Sequence, residues 1–339
     1  MEAILLLGAG ALAGVLATVF VQPAIERLKH RGTSRVRTWF PTKAGGYDLQ
    51  EIYLYQIMSW SASRPLDPGK HRVQRDTADR PPQEWFPPAI LEREVHSIRA
   101  RVQGEVCEVT DSTVDHGESG NSTKGFTLRV RPSEYADSLV LPRLLADDEL
   151  WKPLQQRIMR HGILETLAVA PPRSFFVNLT VSTTRGEVLM TRRSASAASA
   201  AGLRSLGVCE TMNAIPMTAG HEPEDLFDLA HRAAREELGL ERSDIGPIWF
   251  TWYGFGRYHG QFAVAHTQTR LSADEVEVRA RSAEAGWEAD ALRWIDVKGK
   301  EMRGLATIAH HEGWLPLTPI TAQGLLDIWP YLATAPKRY

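Results

Sequence analysis

The chain has 339 residues, 24% charged and 43% hydrophobic, with a formal charge of -2. This length and composition allow a substantial core in one large or two small domains, and the charge argues against a general nucleic-acid-binding surface, whose footprint is a basic domain. The two cysteines, Cys107 and Cys209, stand far apart, so neither a disulfide framework nor a zinc-type spacing is implied, in keeping with a reducing compartment.

From Ala3 to Val21 no residue is charged. At 1.5 Å rise per residue that run makes a helix of about 28 Å, just long enough for a ~30 Å hydrocarbon core. Arg27, Lys29, Arg31, Arg35 and Arg37 follow, with only Glu26 opposing them. The positive-inside rule then predicts a single-pass membrane anchor through residues 3–21, with the body on the cytoplasmic side. A secretory signal would carry its basic residues before the apolar run, where only Met1 and Glu2 stand. Gly10 and Gly14 form a small-xxx-small step, through which a homodimer can assemble.

Residues 1–24 are thus read as a transmembrane anchor and 25–94 as a basic juxtamembrane segment and irregular connector. Within the latter, Ile52–Met58 fits either a strand or a short helix, and the stretch from Ser61 to Pro88, rich in Pro, Arg and Asp, reads as connector. Residues 95–170 form a flanking region. Val102, Val106 and Val109 alternate with polar residues there, Asp115 to Lys124 makes a loop, Phe126–Val130 looks like a strand, and Leu154–Leu164 is predicted helical.

The segment 171–300 holds the clearest pattern. Phe176–Val181 alternates like a strand, Thr184–Gly186 reads as a turn, and Glu187–Met190 as a return strand ending in Thr191-Arg192-Arg193-Ser194. Ile248–Tyr253, Phe262–Thr267 and Leu292–Ile295 fit further strands. Between them, GHEPEDLFDLAHRAAREELGL from Gly220 to Leu240 spaces Leu226, Leu229, Ala230 and Ala233 at three and four residues, the stripe of a helix over Glu224–Leu238. Pro223 suits a first helical position, and Gly239 a left-handed stop. Glu236 and Glu237 sit together at the helix end, Arg232 four residues before Glu236. Adjacent carboxylates repel unless a cation is shared, and such hard oxygen ligands suit Mg²⁺ or Mn²⁺.

This helix resembles the signature of the Nudix hydrolases, G-x5-E-x7-R-E-U-x-E-E-x-G-U, with U a bulky aliphatic. Glu224, Arg232, Glu236, Glu237, Gly239 and Leu240 fall in register. Thr218 stands where the opening glycine belongs, with Gly220 two residues late; Ala233 replaces the Glu after the Arg, and Ala234 is small where a bulky aliphatic is expected. The flanking strands extend the resemblance over roughly 126–297. It implies an α/β fold, a Nudix-type mixed sheet sandwiched between helices and preceded here by the single transmembrane helix.

The resemblance implies hydrolysis of a nucleoside diphosphate linked to another group, with divalent metal supplying Lewis-acid stabilisation and an activated water. Glu236, Glu237 and Glu224 are then the metal ligands, with Arg232 holding Glu236. The position of Ala233 is a ligand and often the base in the family. Glu275, Glu277, Glu284 and Glu288 follow the core strands, and Glu288 is favoured as the replacement base. Arg192 and Arg193 are expected to hold substrate phosphates. Among Trp252, Tyr253, Phe255 and Tyr258, which can stack on a base, Tyr253 is chosen.

Two functions follow: a membrane-anchored, metal-dependent Nudix-type hydrolase of a nucleoside-diphosphate derivative, or a catalytically weakened Nudix domain that binds a nucleotide ligand as a sensor at the membrane. Residues 301–339 form a tail with a helix from about Thr321 to Trp329, preceded by His310 and His311, which read as loop residues.

Overall fold

The computed structural model describes residues 34–36, 43–44, 47–48, 52–59, 66–78, 88–99, 104–115, 125–145, 148–162, 165–166, 170, 172–194, 204–218, 220–256, 260–286 and 289–297. The expected anchor, the tail helix with His310 and His311, Glu288 and Tyr258 lie outside these residues. No helix among the described residues is long and apolar enough to cross a membrane.

The centre is a mixed nine-stranded sheet. Strands β1 (Ser34–Val36), β4 (Ile52–Ser59), β12 (Trp249–Gly256), β13 (Gly260–Thr269), β8 (Phe175–Thr183), β9 (Glu187–Arg193) and β10 (Arg204–Leu206) follow in spatial order, while β11 (Val208–Thr211) pairs with β8 and β14 (Ala289–Asp296) with β9. The pairing of β8 with β13 is parallel, from Phe175↔Gln261 to Thr183↔Thr269. Ile52–Ser59 is a strand and joins this sheet beside β12, so part of the expected connector completes the sheet. Lys43–Ala44 (β2) and Tyr47–Asp48 (β3) form a separate ribbon.

A second sheet is built from β5 (His71–Arg75), β6 (Glu105–Asp115) and β7 (Gly125–Glu134) in the order β5-β7-β6. It packs Cys107, Val109, Phe126, Leu128 and Val130 into the same core as Val177, Leu179, Val181 and Leu189 of the large sheet. Phe126 meets Tyr253 edge-on at 5.3 Å. Helices α1 (Pro88–Arg99), α2 (Tyr135–Leu145) and α3 (Asp148–His161) share a separate apolar cluster around Val140, Leu141, Trp151 and Leu154.

The core layer on the large sheet comes from α4 (Ile215–Thr218), α5 (Leu226–Leu238) and α6 (Ala273–Ala280). The stripe read from the sequence is the buried stripe of α5: Leu226, Leu229, Ala230, Ala233, Ala234, Glu237 and Leu238. The helix begins two residues later than its acidic start suggested. Asp225 is extended and its carboxylate accepts from the Asp228 amide at 2.7 Å, so it is the N-cap and Pro223 lies before it. Gly239 ends the helix at φ 65°, its amide on Arg235 and the Leu240 amide on Ala234, as expected of a left-handed cap.

Strands β8 and β9 pair at Ser182↔Val188 and then part: β8 takes β11 over Phe176–Leu179, and β9 takes β10 over Met190–Arg192. Gly207, between β10 and β11, sits at the apex of this fork. It adopts φ +72°, and a Cβ there would lie 1.9 Å from the Leu179 carbonyl oxygen. Its amide donates to Leu189, and its carbonyl accepts from the Thr191 hydroxyl at 2.7 Å. Only glycine fits both constraints. Gly220, the glycine nearest the motif, has nothing within 4 Å of an added Cβ.

Candidate functional site

Arg232, in the second turn of α5, gathers the acidic residues of the motif. Its Nε and Nη2 donate to the two oxygens of Glu224 at 2.9 and 3.0 Å, a bidentate fork. Nη1 lies 2.9 Å from Glu210 and 3.3 Å from Glu236, and Nη2 also donates to the Thr211 carbonyl at 2.6 Å. Burial alone would lower the Arg232 pKa; the Glu224 hydrogen bonds and the charges of Glu210, Glu224 and Glu236 outweigh it and hold the guanidinium firmly charged. Arg232 therefore ties α5 to β11 as well as to the segment that leads into the helix. The sequence pattern found the Glu236 partner by spacing and read Glu224 as a metal ligand, whereas both its oxygens bind Arg232. It missed Glu210 and Thr211, which reach Arg232 only because β11 passes beside α5.

The expected ligand pair divides. Glu236 turns to Arg232 and to Arg235, whose Nη2 donates to it at 2.8 Å. Glu237 is 8% exposed and accepts the Cys209 amide at 2.8 Å. Ala233, one turn before Glu237, has no accessible surface. An open cleft of about 510 Å³ runs along α5 and is lined by the motif residues Glu224 and Arg232 together with Asp228, His231, Arg235 and Arg242. Arg242 pairs with Asp228 across it. Burial, then the Arg242 charge, pushes the His231 pKa down, so this imidazole stays neutral at pH 7.

The two arginines expected to hold phosphate also separate. Arg192 pairs across strands with Arg204, and Met190 with Leu206 and Arg293, whereas Leu189 and Thr191 lie opposite Trp294 and Leu292, which pack on the core under α5. Alternation along β9 thus sends Arg192 to the face away from α5 and Arg193 to the α5 side. Of the two arginines, Arg193 is thus the one on the side of Glu236 and Glu237. On the far face Arg192 meets Arg204 and Arg293. Burial first, then the Arg293 and Arg192 charges, lowers the Arg204 pKa.

Tyr253 is not a stacking platform. It is fully buried, its hydroxyl accepts from the Gln261 amide at 3.2 Å, and it packs between Phe126 and Phe175. Trp252 and Phe255 are likewise core residues. Aromatics at strand positions fill the two faces of a sheet that is covered on both. Of the acidic residues after the strands, Glu275 closes a capping box with Ser272 at the start of α6. Hydrogen bonds from the Ser272 amide and hydroxyl lower its pKa, so it serves the helix.

A divalent cation, as the resemblance implies, needs carboxylate oxygens that converge with room for water and phosphate. The donor chemistry here runs the other way. Glu224 and Glu236 face a guanidinium, Glu237 holds a backbone amide, and Ala233 has no side-chain oxygen. Among the described residues no three His, Cys, Asp or Glu side chains come together to hold an ion. These residues do not fit a two-metal hydrolytic centre.

No family model matches the chain, and no curated protein matches it. Parts of solved structures do resemble it. The MutT protein from Methanosarcina mazei Go1 is 16% identical, covering 46% of this chain and 92% of that one, with a TM-score of 0.28. The NUDIX domain of Shewanella oneidensis NrtR, crystallised with ADP ribose, is 14% identical over 47% of this chain and 88% of its own, with a TM-score of 0.29. The Nudix hydrolase RenU from M. smegmatis is 18% identical over 48% and 86%, with a TM-score of 0.28. Likeness at these identities and TM-scores carries neither substrate nor mechanism to this chain.

Proposed function

We propose that residues 171–300 form a Nudix-like domain that binds a nucleoside-diphosphate derivative without appreciable hydrolysis and serves as a nucleotide sensor. The in-register Glu224, Arg232, Glu236, Glu237 and Gly239 support the Nudix reading. The observation that carries binding over turnover is the buried Ala233 beside a Glu237 engaged by the Cys209 amide. A missing general base by itself lowers rate by ~10²–10⁴-fold. The charge-free run at 3–21 and the arginines after it support placing this domain on the cytoplasmic side of a membrane.

The second reading is the metal-dependent hydrolase, with Glu288 as base, favoured by retention of the Glu236–Glu237 pair. The full-length protein in detergent, screened against nucleoside diphosphate derivatives with Mg²⁺ or Mn²⁺, separates the two. Ligand at a hundred times its Kd stabilises by about 2.7 kcal/mol, which raises Tm by roughly 5–10 °C for a domain of this size. A shift of that order with no product is the expected result. Brisk metal-dependent turnover would establish the hydrolase, and no shift with any nucleotide would remove the nucleotide reading.

A further inference from the structure

The second sheet has an outer face turned away from α5. On its edge strand β5, His71 and Val73 point inward. The His71 ring is buried and its Nε2 accepts from the Leu226 amide at 3.4 Å, while Val73 packs on the core. Alternation then puts Arg72 and Gln74 on the outer side. In the neighbouring strand β7, Phe126 and Leu128 enter the core, and Thr127 between them is in register with Arg72 across the parallel pair. Lys70 ends the one-turn helix Pro68–Lys70 that leads into β5.

An open cleft of about 440 Å³ lies on this face, lined by Gly69, Lys70, Arg72, Gln74, Gly125 and Thr127. Its walls carry two cations, an amide and a hydroxyl, and neither a carboxylate nor an apolar side chain. The cleft along α5 differs, because there Arg232, Arg235 and Arg242 each face an acid. Asp67, which precedes the one-turn helix, accepts the Gly69 amide at 2.9 Å. The side chains of Arg72, Gln74 and Thr127 make no hydrogen bond or ion pair among the described residues. The backbone does not require glycine at 69, where an added Cβ would meet only Asp67 Oδ1 at 3.5 Å. Glycine there keeps the cleft open.

We propose that this cleft binds the phosphate group of a polar phosphate ester, a free one or a phospholipid headgroup, independently of the nucleotide reading above. The Lys70 ammonium and the Arg72 guanidinium supply charge and several N–H donors. A tetrahedral phosphate offers them more oxygens than a carboxylate does. The Thr127 hydroxyl is a further donor, and the Gln74 amide both donates and accepts, which suits a hydroxyl on the organic part of the ester. A volume of about 440 Å³ is that of a small-ligand pocket, with room beyond the phosphate itself. An acyl chain or a heterocyclic base finds no apolar wall here, so a lipid would present its headgroup alone.

The test uses the full-length protein in a neutral detergent and compares wild type with Arg72→Gln, Thr127→Val and Arg185→Gln. Arg185 is exposed in the turn between β8 and β9, so its variant makes the same charge change elsewhere. Tm is measured with glycerol 3-phosphate, with glycerol, and with phosphatidic acid or phosphatidylcholine in the micelle. Glycerol 3-phosphate, phosphatidic acid or both should raise the wild-type Tm by a few degrees, and glycerol and phosphatidylcholine should not. A shift with the soluble ester alone assigns a free ligand; one with phosphatidic acid alone assigns a headgroup. Arg72→Gln should weaken the apparent Kd by about tenfold or more, and Thr127→Val should weaken it without a change of charge. Both should melt within about 2 °C of wild type when no ligand is present, since neither side chain is engaged. Arg185→Gln should respond as wild type does. No shift with either phosphate probe would overturn the site. So would a shift that survives both cleft variants, or one that Arg185→Gln loses equally, because charge spread over the surface would then account for it.

Discussion

Ala233 and Glu237 stand one turn apart on the buried stripe of α5, the first without accessible surface and the second holding the Cys209 amide at 2.8 Å. From spacing alone, a glutamate at 233 would complete a carboxylate cluster and restore a lost base. The packing predicts otherwise. Ala233→Glu would push a longer, ionisable side chain into a filled core beside a second carboxylate. The expected loss is about 3 kcal/mol or more, a fall in Tm of roughly 6–12 °C, with no gain in hydrolysis. A stable variant with metal-dependent turnover, measured by product release and thermal melting together, would show that the core opens to a metal at this point.

Arg232 has the opposite character, a charge surrounded by acids. Arg232→Met removes the partner of Glu210, Glu224 and Glu236 and leaves three carboxylates close together in a largely buried setting. Breaking such a pair costs about 3 kcal/mol. Urea unfolding of both proteins at pH 7 checks it. A loss below about 1 kcal/mol at pH 7 would class the cluster with ordinary surface ion pairs.

How much of this was readable from residues alone follows from locality. The α5 stripe, its Gly239 cap and the Thr184–Gly186 turn rest on contacts a few residues apart, and they were legible to within two residues. The strands β8, β9, β12 and β13 were legible because alternation and β-branched or aromatic content coincide there. Everything that depends on a strand's neighbours was hidden. Arg192 and Arg193 look like one phosphate clamp in sequence, yet they leave β9 on opposite faces. Tyr253 reads as a stacking ring only until Phe126 arrives from the second sheet. The buried polar residues Asn178 and Thr180 sit within an alternating strand and carry no sequence signal at all. Ile52–Met58 fits a strand or a short helix by itself, and what makes it β4 is its pairing with the distant β12.

Gly207 is a third test, of the fork between β8 and β9. Gly207→Ala must place a methyl 1.9 Å from the Leu179 carbonyl at a left-handed φ. Either the fork opens or the strand shifts, and the expected cost is about 3–5 kcal/mol, at the upper end for a single substitution. Gly220→Ala faces the strain of φ +87° but no clash, so it should cost about 1 kcal/mol. Equal melting temperatures for the two variants would show that the fork is not the constraint described.

The last prediction concerns acid. Burial lowers the His266 pKa to about 4, from 6.5 for an ordinary histidine, and the ring lies against Ser182 and the face of Trp249. The folded state therefore takes up this proton less readily than the unfolded chain. The neutral ring contributes no penalty above pH 6.5. As pH falls through the window from 6.5 to about 4, the unfolded state gains a proton that the folded state refuses, and stability declines. The full loss corresponds to about 3 kcal/mol, from 1.36 kcal/mol per pKa unit. His266→Gln keeps a polar group for Ser182 and cannot titrate. Its Tm should therefore fall less steeply than that of wild type between pH 6.5 and 4, whatever its value at pH 7. Parallel slopes for the two proteins would mean that His266 is protonated within the fold, its charge met by a partner or by water.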